Sequence, residues 1–146
     1  MTRITQLNDS TLTEVERQRI EKAFADVPFA RLLNIEMGEM ERGKARLHLG
    51  VRDELRQNNG LMHGGVIASL IDTAAAFAIL TVLEPNKTTT TVDLTIHYLR
   101  PLIKGRATAE ARVVRAGRRI IVVAIDVLDE AEHVAATALT TYIRLT

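Results

Sequence analysis

The sequence predicts an α+β domain in which one antiparallel sheet curls around a single long helix. The first observation is the segment 64–83, GGVIASLIDTAAAFAILTVL, which is apolar on nearly every side. A helix without a polar face must be enclosed by its surroundings. The second observation is that strand-like sequence flanks this segment, and the third is that the later strands are joined by very short connections. Short connections favour antiparallel neighbours, so we expect a sheet wrapped around the helix.

The N-terminal region is expected to form a short helix that precedes the sheet. Residues 13–16, Thr-Glu-Val-Glu, have the form of a capping box, in which a hydroxyl and a carboxylate each satisfy an unpaired N–H group. Pro28 ends the helix, which is predicted over 14–26. We therefore divide the chain into an N-terminal helical extension, residues 1–27, and a main domain, residues 28–146.

Six strands are predicted from period-two alternation and from turn residues. In the second of them Ala45, Leu47 and Leu49 alternate with polar residues, which is typical of a half-buried strand. The run 120–127 is apolar on both faces, which favours a central position in the sheet. The predicted strands are 34–41, 44–51, 89–99, 105–115, 118–129 and 133–145.

Composition excludes several classes of function. The 146 residues suit one domain, and the absence of cysteine excludes disulfides, a thiolate nucleophile and zinc–sulfur sites. A net charge of +1, 3% aromatic residues and no tryptophan argue against nucleic acid as a partner. The first ten residues lack the apolar core of a secretory signal. We therefore expect a cytoplasmic protein that needs no metal.

The long apolar segment also raises the question of a membrane span. Its length would suffice to cross a bilayer. Asp72, however, lies in its middle, and a charged group at bilayer depth is costly. We therefore expect no membrane association.

The apolar segment begins in an unusual way for a helix. His63 is followed by Gly64 and Gly65, at a place where Ser, Thr, Asp or Asn usually caps the unpaired N–H groups. Glycine lets another group approach the backbone closely, so open N–H donors here would suit an oxyanion or a phosphate. The alternative is that the two glycines serve only the close packing of helix and sheet.

Asp72 is the one charged residue within the apolar segment. Buried carboxylates are uncommon unless they are paired or functional. A carboxylate here would suit general-base or nucleophilic chemistry. The alternative is an aspartate that is bonded to loop amides or paired with an arginine.

The spacing of Gly64 and Asp72 adds a constraint on any shared chemistry. Eight residues of helix rise about 12 Å, whereas reacting atoms must lie within about 3.5 Å of each other. If both residues act on one carbonyl, they must come from different copies of the chain. A functional pairing of the two therefore predicts a homodimer with two shared sites.

The pattern Gln57–(x)5–His63-Gly64-Gly65–(x)6–Asp72 resembles the hotdog-fold thioesterases, and specifically the PaaI-type acyl-CoA thioesterase family. The likeness covers roughly residues 28 to 145. It implies the hotdog fold and hydrolysis of an acyl-CoA, with no cofactor because CoA is part of the substrate. The supporting stretches are Phe29–Leu33, Thr90–Leu94, Tyr98–Pro101 and Val114–Arg119.

The resemblance implies roles for the residues that match its central pattern. The N–H of Gly64 would polarise the thioester carbonyl, and Asp72 of the second copy would activate water or attack directly. Gln57 would lie near the thioester or the attacking water. Asn58 and Gly65 would contact the substrate.

The resemblance also bears on His63 and on the strand that follows the helix. His63 would orient its neighbours rather than transfer protons. Thr91 matches a Ser or Thr that holds water in some members, yet strand alternation gives Thr90, not Thr91, the parity of the apolar Val92. Which threonine faces the site is therefore left open.

One departure from the family pattern separates two subgroups. Some relatives have Glu in place of Asp72 and a threonine one helical turn later, where this chain has Ala76. The chain therefore resembles the Asp-type subgroup. Whether the carboxylate is a nucleophile or a general base is left open.

A local excess of basic residues suggests where the phosphates of CoA would lie. The region 100–119 has seven basic residues and one acid, Glu110. We expect at least one of Arg100, Arg118 and Arg119 to contact phosphate, because arginine binds phosphate through paired hydrogen bonds. The alternative is that these arginines are solvated strand residues.

Two other functions are alternatives to thioester hydrolysis. A non-catalytic acyl-CoA-binding hotdog module would bind a thioester without turnover. A hydratase or dehydratase acting on acyl thioesters would require His and acid residues in other places. We favour the thioesterase, as a homodimer or a dimer of dimers.

Overall fold

The computed structural model of the chain describes residues 10–145. Residues 1–9, which carry most of the segment tested for a secretory signal and the start of the predicted N-terminal extension, lie outside the described residues, as does Thr146. The elements are α1 Glu14–Ala25, α2 Pro28–Leu33, β1 Glu36–Glu41, β2 Lys44–Gly50, a 3-10 turn Asp53–Leu55, α3 Gly64–Leu80, β3 Thr88–Tyr98, β4 Arg106–Ala116, β5 Ile120–Leu128 and β6 Val134–Leu145.

The six strands form one antiparallel sheet in the order β1-β2-β4-β5-β6-β3. The prediction that β5 is central is confirmed. β3 follows α3 in the chain but pairs with β6, the last strand, and so forms one edge of the sheet. The other edge is β1.

The core lies between α3 and the inner face of the sheet. Alternate residues of the central strand β5, from Ile121 to Val127, are buried, as the period-two alternation of a strand requires. Eight of the 17 residues of α3 are buried, among them Leu70, Ile71 and Ala74. The predicted architecture, a sheet curled around one apolar helix, is confirmed.

The boundary predictions hold to within a few residues, with one clear correction. α3 ends at Leu80 rather than at Leu83. The hydroxyl of Thr81 donates to the Ala78 carbonyl at 2.7 Å and accepts a bond from the Gly43 N–H at 2.7 Å. Thr81 thus ties the end of the helix to the β1–β2 turn.

The N-terminal helix packs on the domain. Thr13 Oγ1 accepts from the Glu16 N–H at 3.2 Å, which is half of the predicted capping box. The rings of Phe24 in α1 and Phe77 in α3 meet edge to face, with centroids 5.3 Å apart. Among the described residues, no helix has both the length and the hydropathy needed to cross a membrane.

Candidate functional site

Backbone hydrogen bonds fix the position of the N-terminus of α3. The N–H of His63 donates to the Leu55 carbonyl and that of Met62 donates to the Leu102 carbonyl, each at 2.8 Å. A bridge between Arg56 and Met62 closes the loop that lies between them. The turn-rich segment before the helix is therefore an ordered loop that fixes the position of the first residues of α3.

His63 caps the helix, and this corrects the expectation that both glycines offer open donors. His63 Nδ1 accepts a hydrogen bond from the Gly65 N–H at 2.8 Å. The Gly65 N–H is therefore occupied, and the bond holds the His63 ring against the backbone. The N–H of Gly64, by contrast, has no acceptor within residues 10–145. One open donor remains at the positive end of the helix.

Tyr98 and a cavity adjoin Gly64. The Tyr98 hydroxyl donates to the Gly64 carbonyl at 2.8 Å, and a Cβ at Gly64 would lie 3.3 Å from the Tyr98 ring. A cavity of about 490 Å³ opens here, lined by Gln57, Gly64, Tyr98 and Arg100 together with apolar side chains. Glycine at position 64 thus allows the close approach of Tyr98.

Asp72 is held by two hydroxyl groups. It is half-buried on α3. Its Oδ1 accepts from Thr91 Oγ1 at 2.9 Å and from the Tyr142 hydroxyl at 2.6 Å. The Tyr142 hydroxyl also lies 2.8 Å from the Asp72 carbonyl oxygen. The alternative that Asp72 binds loop amides or an arginine is wrong, because its partners are two hydroxyls of the sheet.

A β-bulge explains why Thr91, rather than Thr90, reaches Asp72. Thr91 lies opposite Tyr142 in β6 and Asp93 lies opposite Thr141, so Val92 is an extra residue in β3. An extra residue reverses the parity of the strand. Val92 is therefore 57% exposed, and the alternation that made Thr90 a candidate stops there.

Tyr142 belongs to the candidate site through its hydrogen bond to Asp72, and the sequence interpretation missed it. It is almost fully buried on β6 and lies directly across from Thr91. Burial, followed by the hydrogen bond to Asp72, raises the pKa of the Tyr142 hydroxyl. The alternation of its strand indicates that Tyr142 faces inward, because Ala136, Ala138 and Thr140 share its parity and are buried. A buried tyrosine requires a partner for its hydroxyl, so a polar group was to be expected nearby.

The predicted site residues divide into two groups. Gln57, His63 and Gly64 lie at the N-terminus of α3, beside Tyr98. Asp72 and Thr91 lie two helical turns further along, beside Tyr142. The two groups do not meet within one copy, because eight residues of helix separate Gly64 from Asp72 by about 12 Å.

The predicted phosphate-binding arginines also lie at opposite ends of the sheet. Arg100 lines the cavity beside Gly64 and lies 4.0 Å from Asp129. Arg118 and Arg119 are exposed in the β4–β5 hairpin, which adjoins the Thr91–Tyr142 end through the pairing of Ile121 with Tyr142.

Two predicted substrate contacts lie outside the cavity. Asn58 is exposed and does not line the cavity, and Gly65 is exposed with its N–H bonded to His63. No group of three His, Asp or Glu residues within the described part of the chain could hold a metal ion.

Comparison with known proteins identifies the family. The model of the thioesterase superfamily matches residues 59–136. A provisionally named esterase of Saccharolobus solfataricus is 35% identical over 76% of this chain and 73% of its own length. The medium/long-chain acyl-CoA thioesterase YigI of Salmonella typhimurium is 30% identical over 80% of this chain and 84% of its own.

A solved structure extends the likeness to the fold. The Escherichia coli PaaI protein from the phenylacetic acid degradation operon superposes with a TM-score of 0.85 at 25% identity, covering 93% of this chain and 97% of its own. The predicted resemblance is confirmed. The chain therefore belongs to the thioesterase superfamily, and it is a thioester hydrolase with the hotdog fold.

Proposed function

We propose that this thioester hydrolase converts an acyl-CoA to a free acid and CoA in a site shared by two copies of the chain. The Gly64 N–H of one copy would be the oxyanion donor, and Asp72 of the other would be the general base or the nucleophile. The observation that carries the proposal is the unpaired Gly64 N–H, within residues 10–145, beside a largely apolar cavity. The name of its YigI relative, a medium/long-chain acyl-CoA thioesterase, supports CoA as the thiol.

Either role for Asp72 gives a balanced reaction. As a base, Asp72 takes a proton from water while the water oxygen bonds to the thioester carbon. As a nucleophile, its oxygen bonds to that carbon to form an anhydride, which water then hydrolyses. In both routes the carbonyl oxygen becomes an oxyanion at the Gly64 N–H, the C–S bond breaks, and CoA leaves as a thiolate that takes up a proton.

If Gly64 and Asp72 act on the same thioester, the distance between them calls for a second copy. An oxyanion donor must lie about 3 Å from the developing charge, and the carboxylate must approach the same carbon within about 3.5 Å. Gly64 and Asp72 of one helix are about 12 Å apart. A two-fold axis that places two α3 helices side by side would pair each Gly64 with the Asp72 of the other copy.

The free edge of β3 supports pairing between copies. β3 is 11 residues long and hydrogen-bonds to the sheet only through β6. Asp93 is the only acidic residue along it and His97 the only basic one. The opposite edge strand, β1, is shorter and has three glutamates in its six residues. Charge and shortness protect an edge from pairing, so β3 is the edge suited to binding a second copy.

Both groups of site residues adjoin this edge strand. Thr91, near one end of β3, contacts Asp72, and Tyr98, at the other end, contacts Gly64. Antiparallel pairing of two β3 strands would bring the Thr91 end of one copy to the Tyr98 end of the other. Each shared site would then contain both groups.

The same symmetry would bring the basic residues together. Arg100 of one copy and the Arg118–Arg119 hairpin of the second copy would lie at the same end of the dimer, where they could bind the phosphates of CoA. Gln57 would lie near the thioester, with Asn58 and Gly65 at the rim. His63 would act through its cap on Gly65 rather than by proton transfer.

Thiol release from a panel of acyl-CoAs tests this function. The panel contains phenylacetyl, hydroxybenzoyl, hexanoyl and palmitoyl thioesters, each tested with the wild type, Asp72→Asn and Asp126→Asn. Asp126 is the matched control, because it is exposed and bonds Thr137. We expect Asp72→Asn to lose at least about 100-fold in rate, the usual effect of losing a general base, and Asp126→Asn to keep its activity.

Two results would contradict the proposal. If Asp72→Asn kept more than about a tenth of the wild-type rate, Asp72 would not be the catalytic group. If the wild type released no thiol from any acyl-CoA while cleaving other thioesters, the substrate class would be wrong.

A further inference from the structure

The two oxygens of the Asp72 carboxylate have different surroundings. Oδ1 accepts from both Thr91 and Tyr142. Oδ2 accepts no hydrogen bond from residues 10–145. It is not a buried atom, so it retains access to solvent. The carboxylate therefore has one restrained oxygen and one open oxygen.

The Tyr142 hydroxyl is well placed to restrain Oδ1. It is buried on β6, next to the edge strand β3, and lies opposite Thr91. A phenol has one proton to donate. It lies 2.6 Å from Oδ1 and 2.8 Å from the Asp72 carbonyl oxygen. The charged oxygen is both the nearer and the stronger acceptor.

We propose that Tyr142 is a positioning residue that, together with Thr91, holds Oδ1 of Asp72 and directs Oδ2 toward the water or the thioester. The proposal rests on the proposed function only in assigning Asp72 to the reaction. No other titratable group of the described chain hydrogen-bonds to Asp72.

Two physical effects follow from this arrangement. The donors fix the rotation of the carboxylate, which removes orientations in which neither oxygen faces the reacting carbon. They also stabilise its charged form, and Tyr142→Phe would remove part of that stabilisation. Because its pKa is raised by burial and by Asp72, Tyr142 stays protonated and keeps donating as the pH rises.

The kinetic test compares the two tyrosines of the chain. In Tyr142→Phe, which loses one hydroxyl, we expect kcat to fall about 10-fold to 100-fold, the effect of losing a hydrogen bond to a charged group. We expect KM to stay constant and the acid limb of the kcat–pH profile to move to higher pH. Tyr98→Phe removes the equivalent group at Gly64 and should leave the acid limb in place.

A spectroscopic test measures the contact without turnover. The chain has no tryptophan, so the ultraviolet absorbance of tyrosinate in the Tyr98→Phe protein reports Tyr142 alone. Replacing Asp72 by Asn in this background should lower the pH at which Tyr142 ionises, because the neutral amide no longer opposes the phenolate charge. The comparison uses the onset of ionisation at pH values where circular dichroism shows that the fold is retained, and it does not depend on the folding of Tyr142→Phe.

The outcomes separate this proposal from the proposed function. An unchanged acid limb in a folded Tyr142→Phe protein would overturn the positioning role, as would a Tyr142 titration that Asp72→Asn leaves unmoved. Retention of thiol release by Asp72→Asn, measured in the same series, would instead overturn the catalytic role of Asp72.

Discussion

At the scale of single residues, the start of α3 has one N–H group that is hydrogen-bonded and one that has no acceptor within residues 10–145. His63 Nδ1 binds the Gly65 N–H, and the Gly64 N–H is left without an acceptor in residues 10–145. Because His63 is bonded in this way, its ring stabilises the helix start and keeps the donor geometry fixed. We therefore assign the proposed chemistry at this position to a backbone group.

Substitution by proline tests the role of that N–H group. Proline at the first position of a helix is well tolerated, and His63 already has φ −63° and ψ 133°, which suits a residue before proline. Gly64→Pro removes the donor, and we expect kcat/KM for acyl-CoA to fall about 100-fold to 1,000-fold, as for loss of an oxyanion donor.

Gly64→Ala is the matched control for this prediction. It keeps the N–H while placing the same Cβ 3.3 Å from the Tyr98 ring. We expect a much smaller loss for alanine than for proline. Equal losses in the two variants would mean that contact with Tyr98, not the N–H, explains the effect.

The sequence predicts residues whose neighbouring sequence is unusual, and it misses residues that only distant parts of the chain bring into place. Gly64 and Asp72 were predicted because their local context is unusual: glycine at a helix start and a charge in an apolar segment. Tyr142 lies 70 residues from Asp72 in the chain, and only the packing of β6 against α3 brings the two together. Thr91 depends on a bulge that alternation does not reveal.

At the scale of elements, β3 links the two halves of the site. In its regular part, Leu94 and Ile96 face inward and are partly buried, while Asp93, Thr95 and His97 face outward. Directly opposite residues of an antiparallel pair point to the same face of the sheet. When two identical strands pair about a two-fold axis, one residue must therefore lie opposite the same residue of the other copy, and the axis passes between them. Placing Thr91 opposite Tyr98 of the second copy, with Val92 as the extra residue, puts the axis at Thr95.

This register has a chemical consequence that the other registers lack. Asp93 lies opposite His97 of the second copy, twice per dimer, so the outer face gains two pairs of complementary residues. Shifting the axis to Leu94 or Ile96 would separate them. Charge complementarity along β3 thus favours the same register that brings Thr91 and Tyr98 together.

Cross-linking tests the register directly, because the chain has no cysteine of its own. In this register Thr95→Cys places the cysteines of the two copies directly opposite each other. Their Cα atoms would lie within the roughly 4.4–6.8 Å that a disulfide spans. We expect mild oxidation to give a covalent dimer of high yield.

Asp93→Cys and His97→Cys are the matched controls. Both positions are exposed like Thr95. Each would lie about 13 Å along the strand from the same position in the second copy, so neither should cross-link. Efficient cross-linking of either control, with none for Thr95→Cys, would contradict this register.

At the scale of the whole molecule, the candidate site residues of one copy lie in two groups at different places along α3 and β3. The sequence predicted the architecture well, because the apolar helix and the alternating strands have strong local periodicity. From the eight-residue spacing it also predicted that, if Gly64 and Asp72 act on one carbonyl, they come from different copies. Dimer or tetramer formation, the cytoplasmic location and the division at residue 27 stay predictions.

Complementation between two inactive variants tests whether the site is shared. Asp72→Asn keeps Gly64, and Gly64→Pro keeps Asp72. If the sites are shared, a mixed dimer has one intact site and one doubly defective site. Random mixing gives half mixed dimers, so thiol release should recover to about a quarter of the wild-type rate.

The two variants are coexpressed or refolded together so that their subunits mix, and each is also assayed alone. We expect recovery of about a quarter of the activity from two proteins that are each nearly inactive. No recovery after verified formation of mixed dimers would contradict the shared site, and would place Gly64 and Asp72 in separate functions within one copy.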